Sequence, residues 1–147
     1  MYTRQELRSR YDIQLENYCK VISIEAHTML DMVNQEILPA ILAYSGQAAR
    51  DAAAKRQLCA DLELTYEQKL VRRLAALIDR IGEQTEALEQ AVLGLETAGD
   101  ALAQARYCLD VIFQRMQALR GPVDEAETIV DKRLWPFPGY GDLLTTI

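Results

Sequence analysis

Apolar or ring-bearing side chains recur at Leu7, Tyr11, Leu15, Tyr18, Ile22, Ala26, Met29, Val33, Ile37, Ala40 and Tyr44, always three or four residues apart. The mean step, about 3.7 residues, is a helical period close to an eleven-residue repeat. This pattern predicts a first helix over about residues 3–45, roughly 60 Å long at ~1.5 Å per residue. A rod of that length cannot cover its own apolar stripe, so the rest of the chain is expected to fold back along it. Thr3 followed by Glu6 forms a capping box at its start. Pro39 falls inside the stripe, where it removes one backbone hydrogen bond and crowds the carbonyl of Gln35. Because the stripe stays in phase to Tyr44, a kinked helix is expected there rather than a stop, with Ser45-Gly46 as the turn.

A second stripe runs through Leu58, Leu62, Tyr66, Leu70, Leu74, Leu77, Ile81, Leu88, Val92 and Leu95, with Thr85 in the gap. It predicts helix 2 over about 47–96, or two helices if the chain breaks near residue 64, where Thr65 and Gln68 offer a second capping box. ETAGD, residues 96–100, reads as a turn because Gly99 disfavours a helix interior. Helix 3, about 99–133, carries Leu102, Ala105, Leu109, Ile112, Met116, Leu119, Val123, Ala126 and Val130 at heptad-like spacing. Gly121-Pro122 interrupts it, and a break and restart in the same direction is expected. No stretch alternates with period two over a strand length. The expected fold is therefore all-α: a single-domain, elongated, up-down antiparallel bundle of three long helices, possibly four. Its tail, 134–147, is extended, because Pro136 and Pro138 exclude a helix.

The length of 147 residues suits one domain, and a 50% hydrophobic composition supplies a core. The net charge of −6 opposes a phosphate-binding surface, which excludes nucleic acid as an expected partner. The longest uncharged run, Ile37 to Ala49, falls short of the ~20 residues of a membrane span, and Pro39 and Gly46 lie within it. The first residues, MYTRQELRSRYD, are charged and contain no apolar signal core. A soluble cytoplasmic protein without a membrane partner is expected.

Chemistry-bearing motifs are sparse. Cys19, Cys59 and Cys108 are far apart, form no CxxC, and each lies on or beside an apolar stripe, so buried free thiols are expected. A carboxylate metal site inside a bundle needs Glu-x-x-His pairs. This chain has one histidine, His27, and Glu25 two positions away points to another helix face. GxGxxG, GxxxxGK[ST] and GxSxG are all absent. No catalytic, cofactor-binding or metal-binding residue is assigned. Two places invite contacts instead. Glu25 sits within the apolar run ISIEAHTML, as a semi-buried carboxylate at the bundle edge or a contact to a partner domain. Trp135, Phe137 and Tyr140 cluster in the non-helical tail, which either wraps over its own bundle or docks on a neighbouring domain or subunit.

Two segments carry a family likeness. LENYCKVISIEAHTMLDMVNQEILPA, residues 15–40, resembles the start of the C-terminal helical region of type III glutamine synthetases. DEAETIVDKRLWPFPGYGDLL, residues 124–144, resembles the way those enzymes end, with a W-P-x-P-x-Y-x-D-L-L terminus. The resemblance implies a parent ligase that joins ammonia to glutamate, with ATP and divalent metal ions, in a ring-forming cytoplasmic oligomer. It implies a non-catalytic C-terminal domain here, in contact with the catalytic domain or neighbouring subunits, because no part of the chain matches the metal- and phosphate-binding portion. The alternative is a free-standing helical adaptor that self-associates through its stripes and aromatic tail.

Overall fold

A computed structural model of the chain describes residues 1–138; Tyr140 and the rest of the tail from 139 onward lie outside the described residues. The described residues form an all-α fold of three long rods and contain no strand. The first rod comprises α1 (Arg4–Met32), a π-helical turn (Val33–Ile37) and α2 (Leu38–Leu58). The second is α3 (Thr65–Leu93), followed by a single 3-10 turn, Leu95–Thr97. The third comprises α4 (Ala101–Tyr107), a second π turn (Cys108–Ile112) and α5 (Phe113–Ile129).

The capping box at the start of α1 is present in both directions. Glu6 N–H donates to Thr3 Oγ1 at 3.2 Å and Thr3 N–H donates to Glu6 Oε2 at 3.0 Å, satisfying two end groups that the helix leaves unbonded. The first rod passes Pro39 without stopping. One turn earlier the Leu38 N–H reaches back to the Val33 carbonyl, a five-residue bond that widens the turn and gives the pyrrolidine ring room.

Ser45-Gly46 is not the turn. The helix continues through it to Leu58, because the alanine-rich run that follows has high helix propensity, which outweighs the ~1 kcal/mol cost of one interior glycine. The chain turns at 59–64 instead. Cys59 is extended, with φ −133°, and Leu64 adopts a positive φ of 53°. The Arg56 guanidinium donates to the carbonyls of Leu62 and Glu63 at 2.8 and 2.9 Å. Of the two expected courses, the chain takes the break near residue 64: residues 47–58 belong to the first rod, and the second starts at Thr65, its first helical residue rather than its cap.

The turn at 96–100 is present. Gly99 has φ +124°, where a side chain would be strained. Asp100 caps α4 by accepting the Ala103 N–H at 2.9 Å. No break occurs at Gly121-Pro122. Pro122 lies inside α5 and is buried. Shielding the ring from water offsets part of the lost backbone bond. Helix 3 ends at Ile129 rather than at about 133.

The described residues gather into two compact units, one from Met1–Asp31 with Gln84–Arg120 and the other from Met32–Glu83 with the described residues from Gly121 onward. The first unit buries Cys19, Ile22, Ala26 and Leu30 of α1, Thr85, Leu88 and Ala91 of α3, and Ala105, Cys108, Ile112, Met116 and Leu119 of the third rod. The second buries Val33, Ile37 and Ile41, Leu74, Leu77 and Ile81, and Ala126 and Val130. Each fully buried leucine or isoleucine contributes about 1.5–3 kcal/mol of transfer free energy.

The buried positions of the first rod, from Cys19 to Ile41, keep the eleven-residue repeat: Cys19, Leu30 and Ile41 form one row, Ile22 and Val33 a second, and Ala26 and Ile37 a third. Leu7, Tyr11 and Tyr18, placed on the buried stripe by sequence periodicity, are exposed, as are Leu58, Leu62 and Tyr66 at the 59–64 turn. In the third rod Ala105, Ile112, Met116, Leu119, Ala126 and Val130 are buried on the expected register, while Leu102 and Leu109 are exposed and Cys108 is buried beside Leu109.

Candidate functional site

The residues singled out for contacts lie in different units and are described separately. Glu25, in the first unit, is exposed rather than semi-buried. Its place on the helix puts it seven residues beyond Tyr18, on the same face. Burial pushes the Tyr18 hydroxyl above its ordinary range, and Cys108, Cys19, Asp110 and Glu25 around it push in the same direction.

Trp135 and Phe137 belong to the second unit, and both are half-buried. The chain reaches them through a compact turn after α5. The Asp131 carbonyl accepts the N–H groups of Leu134 and Trp135 at 2.9 and 3.1 Å. The Asp131 carboxylate accepts the Arg133 backbone N–H at 2.9 Å and its Nη2 at 2.8 Å. That pairing holds the Asp131 carboxyl below its usual range and raises the Arg133 guanidinium. The tryptophan is thereby directed by backbone bonds as well as by its own burial. Tyr140, the third residue of the aromatic cluster, lies outside the described residues.

The thiols divide differently from expectation. Cys19 and Cys108 are buried in the first unit, but Cys59 is exposed in the 59–64 turn. Burial, then the hydrogen bond with Cys19, pushes the Cys108 thiol up to about 12. At neutral pH it is a protonated core side chain and not a nucleophile, since the thiolate is the reactive form. His27 is exposed. Among the described residues no three His, Cys, Asp or Glu side chains gather in a way that could hold a metal ion.

Close contacts in the first unit are made by Tyr107. Its hydroxyl donates to the Ala91 carbonyl at 2.6 Å, and a Cβ at Gly94 would stand 2.5 Å from the same hydroxyl. In the second unit Glu125 accepts from two arginines of α3, Arg73 and Arg80, each at 3.3 Å, and Lys55 faces Glu67 at 3.6 Å. These pairs are structural and solvent-exposed.

One surface was absent from the sequence-based candidates. Leu7, Tyr11, Tyr18 and Val21 are all 37–54% exposed on α1, and none of residues 1–14 is buried or half-buried. Their signal is a seven-residue spacing: Leu7, Gln14 and Val21 in one row, Arg4, Tyr11, Tyr18 and Glu25 in the other. The eleven-residue stripe beside it had absorbed three of these side chains.

No helix among the described residues is long and apolar enough to cross a membrane. No solved structure matches the chain. A family model described as the glutamine synthetase C-terminal domain matches residues 1–56. Along the whole chain it is 30% identical to a glutamine synthetase of Butyrivibrio fibrisolvens, of which it covers 21%. It is 22% identical to a glutamine synthetase of Bacteroides fragilis, with 99% of this chain and 21% of the relative aligned. A type-3 glutamine synthetase of Dictyostelium discoideum is 24% identical over 95% of this chain and 20% of its own length. The chain spans about a fifth of the length of the curated relatives it matches. With an all-α fold, a family-model match over residues 1–56 and its own whole length aligned to about a fifth of a glutamine synthetase, the chain belongs to the glutamine synthetase C-terminal domain family.

Proposed function

We propose that this chain is the non-catalytic helical domain of a glutamate–ammonia ligase, and that it supports the packing or oligomer contacts of the catalytic part. One observation carries the reading: the chain aligns along its whole length to only about a fifth of a glutamine synthetase. ATP and divalent metal then belong to the remaining four fifths of such a parent, and the chain holds neither. The catalytic domain of the parent polypeptide and neighbouring subunits are its partners, and the cytoplasm is its compartment. Half-buried Trp135 and Phe137, Tyr140 and exposed Glu25 are the contact residues assigned to this role.

Two assays test it. The isolated chain should show no γ-glutamyl transfer with glutamate, ammonia, ATP and magnesium or manganese; measurable turnover overturns the non-catalytic assignment. An antibody raised to the chain should detect, in the source cell, a polypeptide several times larger than 16.6 kDa. A band at 16.6 kDa would instead establish a stand-alone helical protein.

A further inference from the structure

The apolar row at the start of α1 has a composition that selects its partner. Positions 4, 11, 18 and 25 hold Arg, Tyr, Tyr and Glu, and positions 7, 14 and 21 hold Leu, Gln and Val. Two rows repeating every seven residues, with offsets of three and four between them, form a coiled-coil seam. All seven side chains are exposed. The eleven-residue face of the same rod is used separately, because its side chains begin at Cys19 and are buried in the unit's own core. The segment before Cys19 continues the buried part of α1 but carries no buried side chain of its own.

We propose that the occupant of this seam is a second copy of the same chain, paired antiparallel about a two-fold axis near Gln14. Charge chooses both the partner and its direction. The N-terminal half of the seam is basic, with Arg4 on it and Arg8 and Arg10 flanking it; Arg10 is held over the Tyr2 ring at 3.8 Å. The C-terminal half carries the carboxylate of Glu25. Antiparallel pairing sets Tyr11 of one copy near Tyr18 of the other, Leu7 near Val21, and Arg4 near Glu25. Each contact occurs twice, as an isologous interface requires. Parallel pairing would stack Arg4 on Arg4 and Glu25 on Glu25, a like-charge arrangement that acts against that register. At Glu25 the inference rests on the oligomer-contact reading and names a second copy of the chain as the partner there; it is independent of the non-catalytic assignment.

Sedimentation equilibrium of the 147-residue chain at increasing concentration tests it. The mass should rise from 16.6 kDa toward twice that value. Tyr11→Glu, at an exposed site that leaves the core untouched, should keep the chain monomeric with unchanged helical circular dichroism. Arg4→Glu and Glu25→Arg should each weaken association several-fold, and combining them should restore it. A monomeric wild-type chain at every concentration overturns the proposal. So does a dimer indifferent to Tyr11→Glu, or a double reversal that fails to rescue. None of these outcomes touches the non-catalytic assignment, which fails only if the isolated chain shows γ-glutamyl transfer.

Discussion

The two compact units reach the same helical architecture with different interiors. The second is packed almost wholly with branched aliphatics, Val33, Ile37, Ile41, Leu74, Leu77, Ile81 and Val130, and carries its charge outside, where Glu125 meets Arg73 and Arg80. The first mixes smaller and softer groups into its core: Cys19, Ala26, Thr85, Ala91, Ala105, Cys108 and Met116. It also relies on a close approach, where Tyr107 bonds the Ala91 carbonyl above Gly94. Aliphatic packing is tolerant of detail and large in sum. Small residues and internal hydrogen bonds contribute less apolar area but allow only one arrangement, because a displaced polar group loses its partner. The second unit therefore draws its stability from area, and the first draws more of its specificity from fit.

The largest test of that contrast is Leu77→Ala. Leu77 is 1% exposed, and the lost transfer free energy plus the residual cavity should cost about 2–5 kcal/mol in chemical denaturation. A loss below about 1 kcal/mol would mean that the second unit collapses around the cavity and is less tightly packed than its burial implies.

Next comes pH. The folded Cys108 thiol is raised from 9.0 to about 12, so the unfolded chain loses that proton first. Below pH 9 the two states bind it equally. Between about 9 and 12 the unfolded state binds fewer protons, and stability should fall by up to about 1.4 kcal/mol per pH unit from this group. Denaturation at alkaline pH should show this slope, and Cys108→Ala should flatten it. An unchanged slope in the variant would assign the alkaline loss elsewhere.

Gly94→Ala should cost about 1–3 kcal/mol, because the new methyl group displaces the Tyr107 ring and its bond to Ala91. Combining it with Tyr107→Phe separates the two effects. If the pair costs no more than Gly94→Ala alone, the bond is already lost in the single variant.

The smallest effect belongs to the second unit's surface. Glu125→Gln should change stability by only about 0.2–1 kcal/mol and should do so less at high salt, since Glu125, Arg73 and Arg80 are all substantially exposed. A loss as large as that of Leu77→Ala would invert the contrast and make the ion pairs the organising feature of that unit.

The helical class, the three rods, the Thr3–Glu6 box and the turn around Gly99 were all legible in the sequence, because each depends on residues within one or two turns of one another. The eleven-residue repeat was legible too, as a period. Its phase was legible only in part: Ile22, Ala26, Val33 and Ile37 lie on the predicted stripe and are buried, while Leu7, Tyr11 and Tyr18 satisfy the same spacing and are exposed. The position of the first turn was left open by competing local signals. Ser45-Gly46 and residues 59–64 both carry local reasons to stop, and the contacts of Arg56 with the Leu62 and Glu63 carbonyls stabilise the second. Pro39 and Pro122 show the same division. Local rules disfavour a proline inside a helix, yet a widened π turn accommodates one and burial offsets the cost of the other. Periodicity records that a residue can face a core; whether a core is there depends on segments tens of residues away, whose arrangement no local pattern encodes.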